Sequence, residues 1–135
     1  MFFSVENIKI DKKTVAKVFK YKKKKFKGIK FFTSKDLNLQ VGFMSHKSQH
    51  NIQPHYHLKR GKIIKDMSEF LIIFKGKIKV LFYNKKKIYV KSKILNEKDM
   101  ILIISGAHGF KVLKETEMLE VKQGPFIGKR DKKRF

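Results

Sequence analysis

The sequence predicts an all-β domain, a sandwich or a closed barrel, and three observations carry that expectation. Apolar and polar residues alternate in several short runs, the period-two signature of half-buried strands. No segment of helical length shows a 3.6-residue period, and the nearest, Thr14 to Phe19, is too short to hold as an isolated helix. The glycines fall mostly between apolar runs, where turns are needed, and Pro54 and Pro125 are the only prolines.

In order along the chain, residues 1–37 are expected to supply N-terminal strands, with the apolar piece Met1 to Ile8 a candidate edge. In residues 38–45, Leu39, Val41 and Phe43 lie on one face and Gln40, Gly42 and Met44 on the other. After Pro54, Gln53, His55 and His57 share one face of a short extended piece. Leu58 to Ser68 reads as a loop between strands. Residues 69–74 (EFLIIF) are a buried strand, broken by Lys75-Gly76; residues 77–83 alternate again. Asn84 to Lys87 is a hairpin loop, and Ile88 to Lys93 is the return strand. Residues 100–104, His108 to Leu113 and Met118 to Val121 complete the series. The whole chain, 1–135, is expected to be one domain, with a barrel core over 38–123 and a tail, 124–135, outside it.

Composition excludes some classes. The chain has no cysteine, which removes disulfides, thiolate metal sites and a cysteine nucleophile. No apolar run exceeds five residues, as in Phe70 to Phe74, far short of the ~20 residues of a membrane span. Met1 to Glu6 shows no basic segment followed by an apolar stretch, so neither a secretory signal nor a span is expected and the location is expected to be cytoplasmic. The formal net charge of +23 invites a nucleic-acid reading. Yet only Arg60, Arg130 and Arg134 are arginines, and phosphate gripping and base readout favour Arg. The lysines are spread along the chain, with one dense run, Lys20 to Lys27. They are read as solvated surface that favours small anions, and no nucleic-acid partner is expected.

HExxH, Gly-rich phosphate-loop and GxSxG motifs are all absent. Five histidines remain: His46, His50, His55, His57 and His108. On a strand, His55 and His57 would point the same way, about 6.5–7 Å apart along the chain, a natural two-ligand clamp. By spacing alone the pair is equally a structural coincidence. Glu69 opens a strand with Gly76 seven residues on, and Asp99 to His108 runs through an acidic turn, a buried strand, a glycine turn and a histidine.

Those motifs resemble the cupin superfamily, whose first motif is HxH, Glu and x6-Gly and whose second is turn, strand, glycine turn and His. The resemblance implies a double-stranded β-helix (jelly-roll) barrel with a metal held by His55, His57, Glu69 and His108. Two departures stand out. Eleven residues, Leu58 to Ser68, separate HxH from Glu69, more than the family usually has, and one residue separates Gly106 from His108. Asp66 could therefore replace Glu69, or the histidines could act with water. The ending, Glu120 to Phe126, then Gly128, Asp131-Lys132 and Arg134-Phe135, is similar to small bacterial cupin-fold proteins often associated with surface-polysaccharide or sugar-modification genes.

The function this implies is a metal-dependent enzyme, of lyase, isomerase or oxygenase type, acting on a small polar or anionic molecule such as a sugar or nucleotide-sugar intermediate. The cofactor would be one divalent transition metal: Fe, Mn, Ni, Zn, Co or Cu. Glu120 and Lys122 share a strand face and are catalytic candidates if that face is the barrel mouth; otherwise they face water. Gln53, Phe110 and Lys122 are candidate substrate contacts. Two alternatives stand beside it: a non-catalytic ligand-binding or regulatory cupin, and a metal-free sugar epimerase or isomerase using His and Tyr. The resemblance also implies a homodimer.

Overall fold

The computed structural model describes residues 2–135, and the fold is all-β. Eight strands form: β1 (Phe2–Ile10), β2 (Lys13–Lys22), β3 (Gly28–Phe31), β4 (Gly42–Ser45), β5 (Glu69–Tyr83), β6 (Tyr89–Asn96), β7 (Met100–Ile103) and β8 (His108–Lys122). One six-stranded antiparallel sheet runs β1-β2-β7-β5-β6, with β8 on the other side of β5; β3 and β4 make a separate hairpin. No helix among the described residues is long and apolar enough to cross a membrane.

The sheet is curled into a half-barrel, and β5 shows how. Its first half pairs with β7 and the end of β8; its second half pairs with β6 and the start of β8. Between them sits Gly76 at φ +91°. A Cβ there would lie 2.1 Å from the Glu115 carbonyl oxygen, so only glycine fits. The β5–β8 register shifts three times around this point. As a result Leu71 and Ile73 face inward before the bend, and Ile78, Val80 and Phe82 face inward after it. The change from odd to even positions is the one-residue displacement a bulge produces. The two halves enclose a core completed by Ile8, Ala16, Val18, Leu95, Ile101 and Ile103.

Tight turns fix the other connections. Asp11 and Lys12 both take positive φ, the geometry of a two-residue hairpin turn. The Asn84 side chain accepts from the Lys86 and Ile88 amides at 2.9 and 3.1 Å, closing the expected hairpin at 84–87. Asp99 is buried in the β6–β7 turn; it accepts from the Tyr21 and Asn96 amides and pairs with Lys20 Nζ at 2.7 Å. That one carboxylate ties β2 to the turn.

The outer face of the sheet is also covered. Phe3, Phe19 and Leu102 pack there against Phe32, Leu37, Leu39, Val41 and Phe43 from the β3–β4 region. Val18 and Phe19 are adjacent and both fully buried, so β2 is interior on its two faces. An apolar cleft of about 430 Å³ remains under the hairpin.

Several expectations change. Thr14 to Phe19 is strand, its apparent helical period arising because β2 buries both faces. The core reaches back to β1 and β2 and is not confined to 38–123; Met1, part of the expected edge strand, lies outside the described residues. The alternation in 38–45 yields strand only at β4. The extended piece around His55 is not a strand: residues 46–67 hold no regular element and are exposed. That segment is dense in Lys, His and Gln and has too little regular apolar alternation to add to the sheet. The two expected strands at 108–113 and 118–121 are one, β8.

Two substitutions test this framework by chemical denaturation. Gly76→Ala is expected to cost more than about 2 kcal/mol, because the turn conformation and the carbonyl contact are both violated. Asp99→Ala is expected to cost about 3 kcal/mol, since it leaves two amides unpaired and Lys20 with the Ile94 carbonyl but no countercharge. A loss below about 0.5 kcal/mol for either would contradict the role assigned to it.

Candidate functional site

β5 begins at Glu69 and β8 begins at His108. In a flat antiparallel pair these residues would be far apart. Glu69 lies opposite Lys122, and His108 is at the other end of β8, roughly 46 Å away at about 3.3 Å per residue. In the curled sheet they touch: His108 Nε2 donates to Glu69 Oε2 at 3.1 Å. The bend at Gly76 therefore makes the site.

The neighbouring contacts hold the pair in place. Ser68 donates its amide to Gln123 Oε1 at 3.0 Å and its hydroxyl to the Ile104 carbonyl at 3.2 Å, fixing the start of β5. Gly106 takes φ +90°, and its carbonyl accepts from His108 Nδ1 at 3.1 Å. Phe110 packs edge-on to the imidazole, ring centroids 5.6 Å apart. Lys122 Nζ bonds Asp131 at 2.7 Å and lies over the Phe126 ring. Glu69, His108, Phe110, Glu120 and Lys122 line one pocket of about 500 Å³. Glu120 and Lys122 share the inward face of β8 and border this pocket, Lys122 half-buried and Glu120 exposed to water.

The tail holds no strand and lies outside the sheet, which ends at Lys122, yet it walls the pocket on one side. Asp131, Lys132, Lys133, Arg134 and Phe135 all line it, and Phe135 packs edge-on to Tyr83 at 5.2 Å. Sequence reasoning missed Asp131, Tyr83 and the tail's cations as site residues. The one available signal was a carboxylate standing alone among the basic residues of 129–134.

His55, His57 and Gln53 are elsewhere, on the exposed 46–67 segment. The two imidazoles remain neighbours, with ring centroids 5.4 Å apart, and His55 Nδ1 donates to the Gln53 carbonyl at 2.9 Å. They do not meet Glu69 and His108. Asp66 lies near Lys13, at 3.9 Å, and not against the histidines. Among the described residues no group of three or more His, Asp or Glu side chains is placed to hold a metal ion. The expected four-ligand set does not fit as arranged; Glu69 and His108 bring two donors together.

The pair is electrostatically coupled. The hydrogen bond from His108 holds Glu69 below its ordinary 4.5, against the opposing effect of burial. Burial disfavours the His108 imidazolium, but the bonds to Glu69 and Gly106, with the charge of Glu69, outweigh it and raise His108 above 6.5. The bond to Asp131 raises Lys122.

The signs fix a pH window. The share from Glu69 is present above its unfolded value and lost as pH falls through its lowered folded value. The share from His108 is full below its unfolded value and lost as pH rises through its raised folded value. The ion pair thus supports the fold most between 4.5 and 6.5. Glu69→Gln should move the His108 titration, followed by NMR, to lower pH, because the charge of Glu69 is lost and only the Gly106 bond still opposes burial. An unchanged titration would show that the two side chains do not interact in solution.

No protein-family model, no curated protein and no solved structure matches this chain.

Proposed function

We propose that this chain is a cupin-type jelly-roll enzyme acting on a small polar anion, such as a sugar or nucleotide-sugar intermediate, by proton transfer in the pocket around His108. The observation that carries the reading is the His108–Glu69 pair inside a pocket lined by Lys132, Lys133 and Arg134. Fold alone would not assign an activity; the argument rests on the side chains.

Each residue has a role that follows from its chemistry. The cations of the tail attract the anionic group of the ligand. His108, whose charged form Glu69 favours, donates its Nε2 proton to a ligand oxygen that takes the place of the Glu69 carboxylate. Glu120, on the same face of β8, is a carboxylate that can accept one. Donation by one group and acceptance by the other amount to a proton shift, the chemistry of an isomerase or epimerase, with nothing consumed. Lys122, engaged with Asp131, orients the tail and the ligand. Phe110 supplies an apolar wall against the imidazole.

A second reading keeps the divalent metal, and one observation favours it. In His55, Nδ1 donates to the carbonyl two residues earlier, the arrangement that leaves Nε2 as the electron-pair donor for a metal; His108 makes the same Nδ1 bond, and its Nε2 would have to give up its proton and its bond to Glu69 to join in. That reading requires residues 46–67 to bring His55 and His57 to Glu69 and His108. The homodimer belongs to the same proposal, with the outer edge of β1, the end of the sheet, as its pairing surface.

Two measurements separate the readings. Incorporation of solvent deuterium into sugar phosphates and nucleotide sugars would report proton transfer directly. His108→Asn and Glu69→Gln are expected to lower it by about 10²–10⁴-fold, and His55→Ala/His57→Ala to leave it unchanged. Exchange that survives His108→Asn would remove the acid–base assignment. Elemental analysis of protein purified without a metal-affinity tag tests the other reading: stoichiometric metal, lost in His55→Ala/His57→Ala, would replace proton transfer by metal-assisted chemistry.

A further inference from the structure

The β3–β4 hairpin covers the sheet with one face and leaves the other unpaired. Phe43, Phe32 and Val41 pack inward on Phe3 and Phe19. On the outward face, Ile29 lies directly opposite Met44, and Phe31 lies opposite Gly42. These three apolar side chains are 54%, 54% and 58% exposed for Ile29, Met44 and Phe31. A Cβ at Gly42 would fall 2.8 Å from the Phe31 ring, so the ring lies across the neighbouring strand and widens the apolar surface.

Charge of one sign borders this face. β2 runs out at Lys22, and Lys22, Lys23, Lys24, Lys25 and Lys27, all exposed, lead directly into β3. No ion pair among the described residues engages these five, whereas Lys20 of the same run is held by Asp99. Lys25 and Lys27 gather with Lys47 and His46 around a shallow depression at the end of the Ile29–Met44 rung, of about 400 Å³. Small exposed apolar groups ringed by cations suit a partner that is anionic at its surface and apolar beneath.

We propose that this hairpin and the 22–27 run form a docking surface for an anionic lipid bilayer. Ile29, Phe31 and Met44 enter the boundary between headgroups and acyl chains, and the lysines meet lipid phosphates. A second copy of the chain fits poorly, because a two-fold contact through this face would set the lysine run against itself. Nucleic acid fits poorly because the face carries lysines without arginine and exposes Ile and Met, which have no use against phosphate. The surface lies on the opposite side of the sheet from the His108 pocket, so the inference stands apart from the proposed activity.

The test is co-sedimentation of the full chain with vesicles of phosphatidylcholine alone or mixed with phosphatidylglycerol, at low and physiological salt. Binding is expected to the mixed vesicles only. Replacing Lys22, Lys23, Lys24, Lys25 and Lys27 by Gln should weaken it more than about a hundredfold, since each surface lysine is worth roughly fivefold. Ile29→Ser/Met44→Ser should weaken it about tenfold with folding intact by circular dichroism. A charge-matched variant with Gln at Lys85, Lys86, Lys91, Lys111 and Lys114 should bind much more tightly than the 22–27 variant. Equal loss in the two lysine variants would overturn the proposal in favour of net charge alone, as would no effect of Ile29→Ser/Met44→Ser. A dimer in sedimentation that Ile29→Ser/Met44→Ser dissociates would assign the face to a second copy. Tighter binding to a short RNA, lost only in the 22–27 variant, would assign it to nucleic acid.

Discussion

The contact between Glu69 and His108 depends on one backbone constraint, the bend at Gly76. Two long strands hydrogen-bonded along their length naturally form a ribbon with its ends far apart. Here the ribbon folds back, because Gly76 adopts a conformation closed to other residues and Thr116 fills the broken ladder. Thr116 Oγ1 accepts from the Lys77 amide and donates to the Lys114 carbonyl at 2.6 Å. The backbone groups lost to sheet pairing are thus re-bonded locally, as an interior bend requires. The same bend turns Leu71 and Ile73 to face Ile78, Val80 and Phe82, so the core and the site have a common origin.

Carboxylates are scarce in this chain, 11 against 34 basic residues, and their placement follows from that scarcity. A surface so positive offers every carboxylate a cation, yet exposed pairs contribute little. Three carboxylates are instead sheltered and each joins two segments, distant in sequence for Asp99 and Glu69 and nine residues apart for Asp131. Asp99 links the β6–β7 turn to β2; Glu69 links the starts of β5 and β8; Asp131 links the tail to β8. Sheltering raises both the strength of such a pair and the cost of breaking it. The tail, with little apolar area of its own to bury, is held chiefly by Lys122–Asp131 and by Phe135 on Tyr83.

The strands were legible because alternation is local. Leu71, Ile73, Val80 and Phe82 announce themselves within a few residues, as does the Asn84 turn. Gly76 was legible as a break but not as a bend: the sequence shows that the strand is interrupted, and only the pairing of both halves with β8 shows that it continues. Glu69 and His108 were reached through the cupin resemblance, and the structure joins them. His55 and His57 came from the same resemblance, but the pairing that would carry them to the site is not formed. The tail was illegible because 124–135 has no period, and its position depends on an ion pair nine residues apart. β2 misled in the opposite sense, since a strand buried on both faces loses the alternation that identifies strands.

The two faces of the one sheet divide the molecule's chemistry. The inner face carries Glu69, His108 and Glu120, under a tail that supplies cations. The outer face carries only apolar side chains beneath the β3–β4 layer, with the free lysine run at its border. β2 and β5 belong to both faces: Val18 and Leu71 point inward while Phe19 and Phe70 point outward. A bilayer against the hairpin would leave the pocket mouth, on the other side of the sheet, facing water. A polar ligand could then reach His108 while the protein is docked, and the lysines that hold the protein at the surface would not compete with the tail for that ligand.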